Sequence, residues 1–383
     1  MSETLSPAAS HLRALISCRS VTPAEGGAQA YIADQLGALG FTVERMNFSE
    51  EGYADVPNLF ARIGHGAPHL VFVGHTDVVP PGDSAMWTHD PFGAVVSEGR
   101  MFGRGAQDMK GGIAAFLAAA QEYGKPGTGT LSLAITGDEE GPSVNGMTKL
   151  LGWAMQQGHR FDAALVGEPT SRERLGDTIK IGRRGSLSGT IIVTGEQGHV
   201  AYPHLAHNPI PLMVRILSRL TQLKLDEGSF EFEPSNLEVT SVETGNATYN
   251  VIPAEIQARF NVRFNDYWSM SGLKALIKRE IAEAGDCELI FEAGSSDWFL
   301  TQSDSLIEPM AASIKAVTGL VPARSTAGGT SDARFFKDIC PVIEVGLVGD
   351  TMHQVDERVP LADLDQLSAV YRKFLDRFFL AFR

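Results

Sequence analysis

The sequence is short of cysteine, of positive charge and of long apolar runs, and each shortage excludes something. The three cysteines, Cys18, Cys287 and Cys340, are scattered along 383 residues. They offer neither the paired spacing of a thiolate zinc site nor a disulfide framework, which fits a reducing cytoplasm. Lys and Arg number 32 against 46 Asp and Glu, a net charge of −14. That balance argues against nucleic acid, which is bound largely by basic side chains on phosphates, but not against metal cations. No run approaches the roughly 20 apolar residues that span a bilayer, so no membrane partner is expected. The start, MSETLSPAAS, lacks the basic and apolar regions of a signal peptide, and a cytoplasmic protein is expected. Gly103-Arg104-Gly105 lacks the third glycine of a dinucleotide fingerprint, and no Gly-Lys-Ser/Thr of a phosphate loop occurs. A Gly-x-Ser-x-Gly elbow is also missing, which speaks against a serine hydrolase.

What is there centres on Leu70-Val71-Phe72-Val73-Gly74-His75-Thr76-Asp77. The apolar, β-branched run reads as a strand buried on both faces. Side chains on a strand repeat with period two, so His75 and Asp77 point the same way. The pair suits a metal ligand with an orienting carboxylate, or a capped strand end with a hydrogen-bonded imidazole. Two more apolar runs end in acids: Thr130 to Thr136 leads into Asp138-Glu139-Glu140, and Asp162 to Val166 into Gly167-Glu168-Pro169. Asp108 sits in a glycine-rich turn at the start of a helix, where simple capping is the alternative. The carboxyl ends of strands line the crevice of an open α/β sheet. Acids converging there would repel, and a cation resolves the repulsion.

The remaining pattern fits two domains, as the length suggests. Ser6-Pro7 opens a helix to about Cys18, and Gly27 to Leu39 reads as a second. Phe41 to Arg45 and Asn58 to Gly64 read as strands, Trp87 to Gly103 as loop and hairpin, and Ile113 to Tyr123 as a helix. From about Ile179 the style changes. Leu187 to Thr194 and Ala254 to Phe264 alternate like half-exposed antiparallel strands, and Pro209 to Leu223 and Ser271 to Ala284 read as amphipathic helices. After Trp298 come a helix from Ser305 to Val317, a strand near Val342 to Val345 and a closing helix from Leu361. The expected division is a catalytic domain over 1–182 and 297–383, with an α+β insert over 183–296.

GHTDVVPPGD, GRGAQDMKGG, TGDEEG, GEPT, GRRGS, QGHVAYPHLAHNP, NVIPAE, GGTSDARF and TMHQVDE occur in this order across nearly the whole chain. Together they resemble the co-catalytic zinc deacylases and peptidases, the family of aminoacylases, carboxypeptidases and acetylornithine deacetylase. The resemblance implies an α/β fold, a zinc-peptidase-like domain with a mixed sheet flanked by helices, plus an inserted dimerisation or lid domain. It implies two divalent metal ions, zinc with cobalt able to substitute. His75 and Glu168 would bind one, Glu140 and His353 the other, and Asp108 both. Asp77 would hydrogen-bond the imidazole of His75, and Glu139 would be the general base for a water between the metals. Arg183, Arg184 and Arg263, with Ser186, Tyr202, Asn250, Gly329 and Thr330, would bind a small N-acyl amino acid carrying several carboxylates. A homodimer is implied, in which His199 completes the partner's oxyanion site. The chain departs from the family pattern at Tyr249 and Gly349, where Asn is common. His11, His65, His69, His89 and His159 lie outside these motifs and read as structural or solvated.

Overall fold

A computed structural model describes residues 5–292 and 294–381. The chain divides into two units. One comprises the chain up to Ile181, Leu300–Ser325 and the chain from Ser331 on; the other is Gly182–Phe299 with Thr326–Thr330. The glycine-rich turn before Ser331 therefore clusters with the insert.

The first unit is built on an eight-stranded sheet. In chain order its strands are β1 (Thr42–Phe48), β2 (Val56–His65), β3 (His69–His75), β4 (Gly129–Thr136), β5 (Ala163–Val166) and β6 (Thr178–Lys180). The second unit's sheet then contributes β7 (Gly185–Thr194), β8 (Asn236–Glu243), β9 (Glu255–Phe264) and β10 (Glu288–Phe291), before the chain returns with β11 (Ala323–Ser325) and β12 (Val342–Glu344). The large sheet runs β1-β2-β4-β3-β5-β12-β6-β11. Its centre, β4, β3, β5 and β12, is parallel, and β1 and β2 are antiparallel additions. All seven residues of β3 are buried, as a strand covered on both faces requires.

Helices α1 (Pro7–Ser17), α2 (Ala28–Ala38), α3 (Lys110–Tyr123) and α4 (Met147–Gln156) belong to this unit. α1 starts where the sequence placed it, with Ser6 Oγ accepting the Ala9 N–H and Pro7 in the first turn. Alternate residues of the strands face opposite layers. Phe72 of β3 stacks on Phe116 of α3 with ring centroids 3.9 Å apart, whereas Phe60 of β2 meets Trp153 of α4. α3 lies against the sheet closely enough to need glycine: a Cβ on Gly112 would stand 2.2 Å from the Gly167 carbonyl oxygen. That contact draws the loop before α3 toward the end of β5. The closing helix, Leu361–Ala381, packs Tyr371 edge-on against Phe72 and Phe116. Its hydroxyl donates to the Val345 carbonyl.

The second unit is an antiparallel sheet in the order β8-β9-β7-β10. Helices α5 (Ile210–Thr221) and α6 (Met270–Ala282) cover one face, burying Leu187, Ile191, Phe260 and Val262 against Met213, Ile216, Leu273 and Ile277. The alternation legible in β7 and β9 is this one-sided burial. The edge strands β8 and β10 escaped the sequence reading because they are short of buried residues.

At the start of β3, burial pushes the His69 imidazole down to about 4 from its ordinary 6.5, with the charge of His159 adding to the effect. Its Nε2 lies 2.7 Å from Ser132 Oγ. The unfolded chain then binds a proton that the folded chain refuses, so stability is lost as pH falls from 6.5 to 4. The loss from this one group is on the order of 3 kcal/mol. Urea unfolding of wild type and His69→Gln across that range should show a shallower acid loss in the variant; parallel curves would assign the acid sensitivity elsewhere.

Candidate metal centre

Five short segments deliver the polar side chains. β3 ends on His75, and Asp77 follows it. β4 runs into Glu139 and Glu140, and β5 into Glu168. The loop before α3 supplies Asp108, and the loop before the closing helix supplies His353. Because β4, β3 and β5 are parallel, their carboxyl ends lie side by side and the acids meet there.

The two oxygens of Asp108 face two different histidines. Oδ1 is 3.2 Å from His75 Nε2 and Oδ2 is 3.2 Å from His353 Nε2. Glu168 Oε1 stands 3.5 Å from the same nitrogen of His75, and Glu140 Oε1 is 2.8 Å from His353 Nε2. His75, Asp108 and Glu140 each offer a donor atom within 4.8 Å of the others, and so do His75, Glu139 and Glu168. Asp108 does not cap α3, whose N-cap Met109 makes no side-chain cap bond, so the capping alternative falls away.

The electrostatics describe a place that needs positive charge. Burial pushes the Glu168 carboxyl up to about 8, with Asp108 nearby adding to it. Burial likewise lifts Glu139 well above the carboxylate range. Hydrogen bonds donated to the Asp108 and Glu140 carboxylates hold His353 up at about 10. Burial works against a charge on His75, yet Asp108 and Glu168 outweigh it and raise this group too. Imidazole nitrogens and carboxylate oxygens without thiolate form a donor set that suits zinc and similar divalent ions. The donors fit a metal, and a metal would remove the repulsion among the acids.

A family model described as "Peptidase family M20/M25/M40" matches residues 71–377. The chain belongs to this peptidase family. It is 57% identical over 373 residues to a protein named succinyl-diaminopimelate desuccinylase from Methylobacterium nodulans, covering 95% of this chain and 94% of the relative. It is 56% identical to the protein of the same name from Methylorubrum extorquens, covering 96% and 97%. Among solved structures it shares its fold with an M20 family metallo-carboxypeptidase from Sulfolobus solfataricus, TM-score 0.83 at 19% identity, covering 98% of this chain and all of that one. Human carnosine dipeptidase 1 matches with TM-score 0.76 at 18% identity, covering 98% and 96%.

In this M20 chain the structure corrects the part expected of Asp77. His75 Nδ1 donates to the Asp77 main-chain carbonyl at 2.9 Å, while the Asp77 carboxylate stands 3.6 Å away. That carboxylate instead accepts the main-chain N–H groups of Glu139, at 3.3 Å, and Glu140, at 3.0 Å. Those N–H groups point into a turn, and the buried carboxylate satisfies them. Asp77 thus fixes the histidine through its backbone and the two glutamates through its side chain.

Sequence reading also missed Glu357, at the end of the TMHQVDE motif. Its carboxylate is fully buried and accepts the main-chain N–H groups of Gly105 at 3.0 Å and Gln107 at 2.8 Å. Arg104 Nη1 pairs with it at 2.7 Å, and the same guanidinium donates to the carbonyls of His353 and Gln354. Gln107 closes the lattice through Asp350 and the Thr351 N–H. The segments carrying Asp108 and His353 are thereby locked together. Glu357→Gln strands a buried guanidinium, which costs about 3–5 kcal/mol. Loosening both ligand loops should weaken metal binding about 10- to 100-fold. Thermal unfolding and metal-titration calorimetry check both; unchanged metal affinity would reduce the pair to a purely structural one.

The residues expected to contact substrate lie in the second unit. Arg183 is buried, and its Nη1 would stand 2.9 Å from a Cβ on Gly328, a glycine with φ +102°. Arg263 faces Ser186 across the β7–β9 ladder, where Ser186 Oγ accepts from Asn261. Tyr202, Asn250 and Gly329 are exposed and Thr330 is half-buried. His199 is exposed as well, with its Nδ1 accepting the Ala201 N–H at 3.0 Å. Arg184 donates to the Pro234 carbonyl at 2.8 Å and Asn236 Oδ1 at 3.2 Å, with Glu233 at 3.6 Å. These contacts tie its guanidinium to the insert, while its Nε has no hydrogen-bond partner.

Proposed function

We propose that this chain hydrolyses N-succinyl-LL-2,6-diaminopimelate to succinate and LL-2,6-diaminopimelate, a step in lysine and diaminopimelate biosynthesis in the cytoplasm. The observation that carries this reading is Asp108 facing two histidines in a chain whose near-full-length relatives bear the desuccinylase name. His75 and Glu168 would hold one divalent ion, Glu140 and His353 a second, and Asp108 would be shared. Zinc suits this donor set, and cobalt can replace it. The chemistry supplied on binding is polarisation of the amide carbonyl and acidification of the attacking water.

Glu139 takes the proton from that water as its oxygen adds to the carbonyl carbon. It returns the proton to the departing nitrogen as the C–N bond breaks. Burial raises the Glu139 carboxyl, the direction a proton carrier needs near neutral pH. Arg183 and Arg263 would take substrate carboxylates with paired N–H donors, and Ser186, Tyr202, Asn250, Gly329 and Thr330 would add polar contacts. The test is turnover of a small panel by zinc-loaded protein. The succinylated diaminopimelate should be cleaved fastest. Preference for acetylornithine or a simple N-acyl amino acid would move the chain to another deacylase, and no turnover of any member would leave a binding protein on this fold.

The second unit would also carry the interface of a two-fold homodimer, with His199 donating to the oxyanion in the partner's site. Glu139→Ala and His199→Ala homodimers should each be nearly inactive. After subunit exchange one site per mixed dimer regains both groups, and activity should return toward about a quarter of wild type at equal mixing. Verified exchange without recovery would remove His199 from the partner's site.

A further inference from the structure

At the end of the first unit's sheet opposite the metal centre there is a cavity of about 390 Å³. It opens to solvent and is bordered by the end of β2, the starts of β3 and β4 and the turn after α4, with His65, Arg160 and Asp162 exposed. β3 begins here at His69 and ends at His75, so six steps of about 3.3 Å put the two places roughly 20 Å apart. Arg62, His65, His69, His159 and Arg160 line the cavity, together with Asp162. The proposed reaction uses none of them.

So basic a wall is unexpected in a chain with net charge −14. Some arginines in this unit meet acids, as Arg104 meets Glu357 at 2.7 Å and Arg372 meets Asp376 at 2.6 Å. Arg62 and Arg160 do not. Among the described residues no carboxylate comes within 4.0 Å of either guanidinium. Arg160 donates to the main-chain carbonyls of His159 and Met155, and the Arg62 Nε is buried with no hydrogen-bond partner. Asp162 brings one negative charge to the pocket, but it lies beyond 4.0 Å of both guanidiniums and its Oδ2 accepts the His69 N–H at 2.7 Å. His69 itself stays neutral, and its Nε2 is engaged with Ser132. His159 is packed against Phe60, ring centroids 4.8 Å apart, which fixes its imidazole beside the two arginines.

Two guanidiniums without acid partners, flanked by two imidazoles, match a compact group with two negative charges and several acceptor oxygens. A guanidinium grips such a group through parallel N–H donors. The volume exceeds that of a bare phosphate and falls at the lower end of small-molecule sites, about 300–1,000 Å³. We infer that this cavity binds a phosphoryl group, as free phosphate or as the monoester of a small metabolite, independently of the metal centre.

The metal-loaded enzyme, titrated with inorganic phosphate and separately with glycerol phosphate, tests this by imidazole NMR. The His65 and His159 signals should shift saturably. Arg62→Gln and Arg160→Gln should each weaken that response about tenfold, the loss of one charge-assisted pair. Arg62→Lys, which keeps the charge without the fork, should fall between. Turnover in all three variants should equal wild type, which also reports that they fold. A tighter response to the ester names a phosphorylated metabolite as ligand, and an equal one names free phosphate. Phosphate that bound only at the metals would move the signals of His75 and His353 and ignore the variants. That result overturns the inference, as does a His65 and His159 response that is absent or identical in the variants.

Discussion

Glu139→Ala should lower turnover by about a hundredfold or more while the protein keeps both metal ions. Glu140→Ala, one residue along, should lose metal and activity together. The difference follows from where the two carboxylates point. Glu140 Oε1 is 2.8 Å from His353 Nε2, a ligand's position between His353 and Asp108. Glu139 reaches the neighbourhood of His75 and Glu168 and is free to carry a proton if those two suffice to hold their ion. Elemental analysis beside kinetics separates the roles. One metal equivalent missing from Glu139→Ala would make Glu139 a ligand, and exchanged phenotypes would reverse the assignment.

Chelation should abolish turnover, and zinc or cobalt should restore it; full activity in metal-free protein would refute the metal reading. Stripping should also make the fold sensitive to alkali. His353, held up at about 10 without metal, contributes stability that is complete below its ordinary 6.5 and is lost as pH rises toward 10. Glu168, pushed up to about 8 from 4.5, adds a cost that grows over 4.5 to 8. Both slopes have the same sign. The gain in Tm on adding zinc should therefore be larger near pH 9 than near pH 6, and proton competition for the ligands reinforces that trend. A gain that shrinks with pH would contradict these shifts.

Of the candidate ligands, His75, Asp108, Glu140 and Glu168 are conspicuous because each follows an apolar strand or sits in a glycine turn; His353 lies in a loop and stands out only through the family resemblance. The architecture around it was legible for a similar reason: buried parallel strands read as apolar runs, and the one-faced strands of the insert read as alternation. What escaped depends on partners far along the chain. Glu357 looks like an ordinary loop acid until the fold sets it against main-chain N–H groups some 250 residues earlier. The partners of Arg184, Pro234 and Asn236, likewise lie about fifty residues away. For Asp77, strand periodicity gave the correct side but could not tell a carboxylate from the carbonyl of the same residue. That choice was made by the unsatisfied N–H groups of Glu139 and Glu140.

The centre is lopsided. The His75 side chain is 1% exposed, and its neighbour Glu168 only 9%. The His353 side chain is 46% exposed, and its backbone holds the left-handed conformation at φ +62°, a strained one for a residue other than glycine. An ion seated between His75 and Glu168 must breach the core to leave, whereas one resting on His353 needs only that loop to yield. The two proposed ion positions should therefore empty at different speeds. Dilution into chelator should release metal in two kinetic phases, the quick one governed by the rim and the slow one by the interior. In a cell where zinc is scarce, the half-filled enzyme would be a distinct, long-lived species with its own residence time.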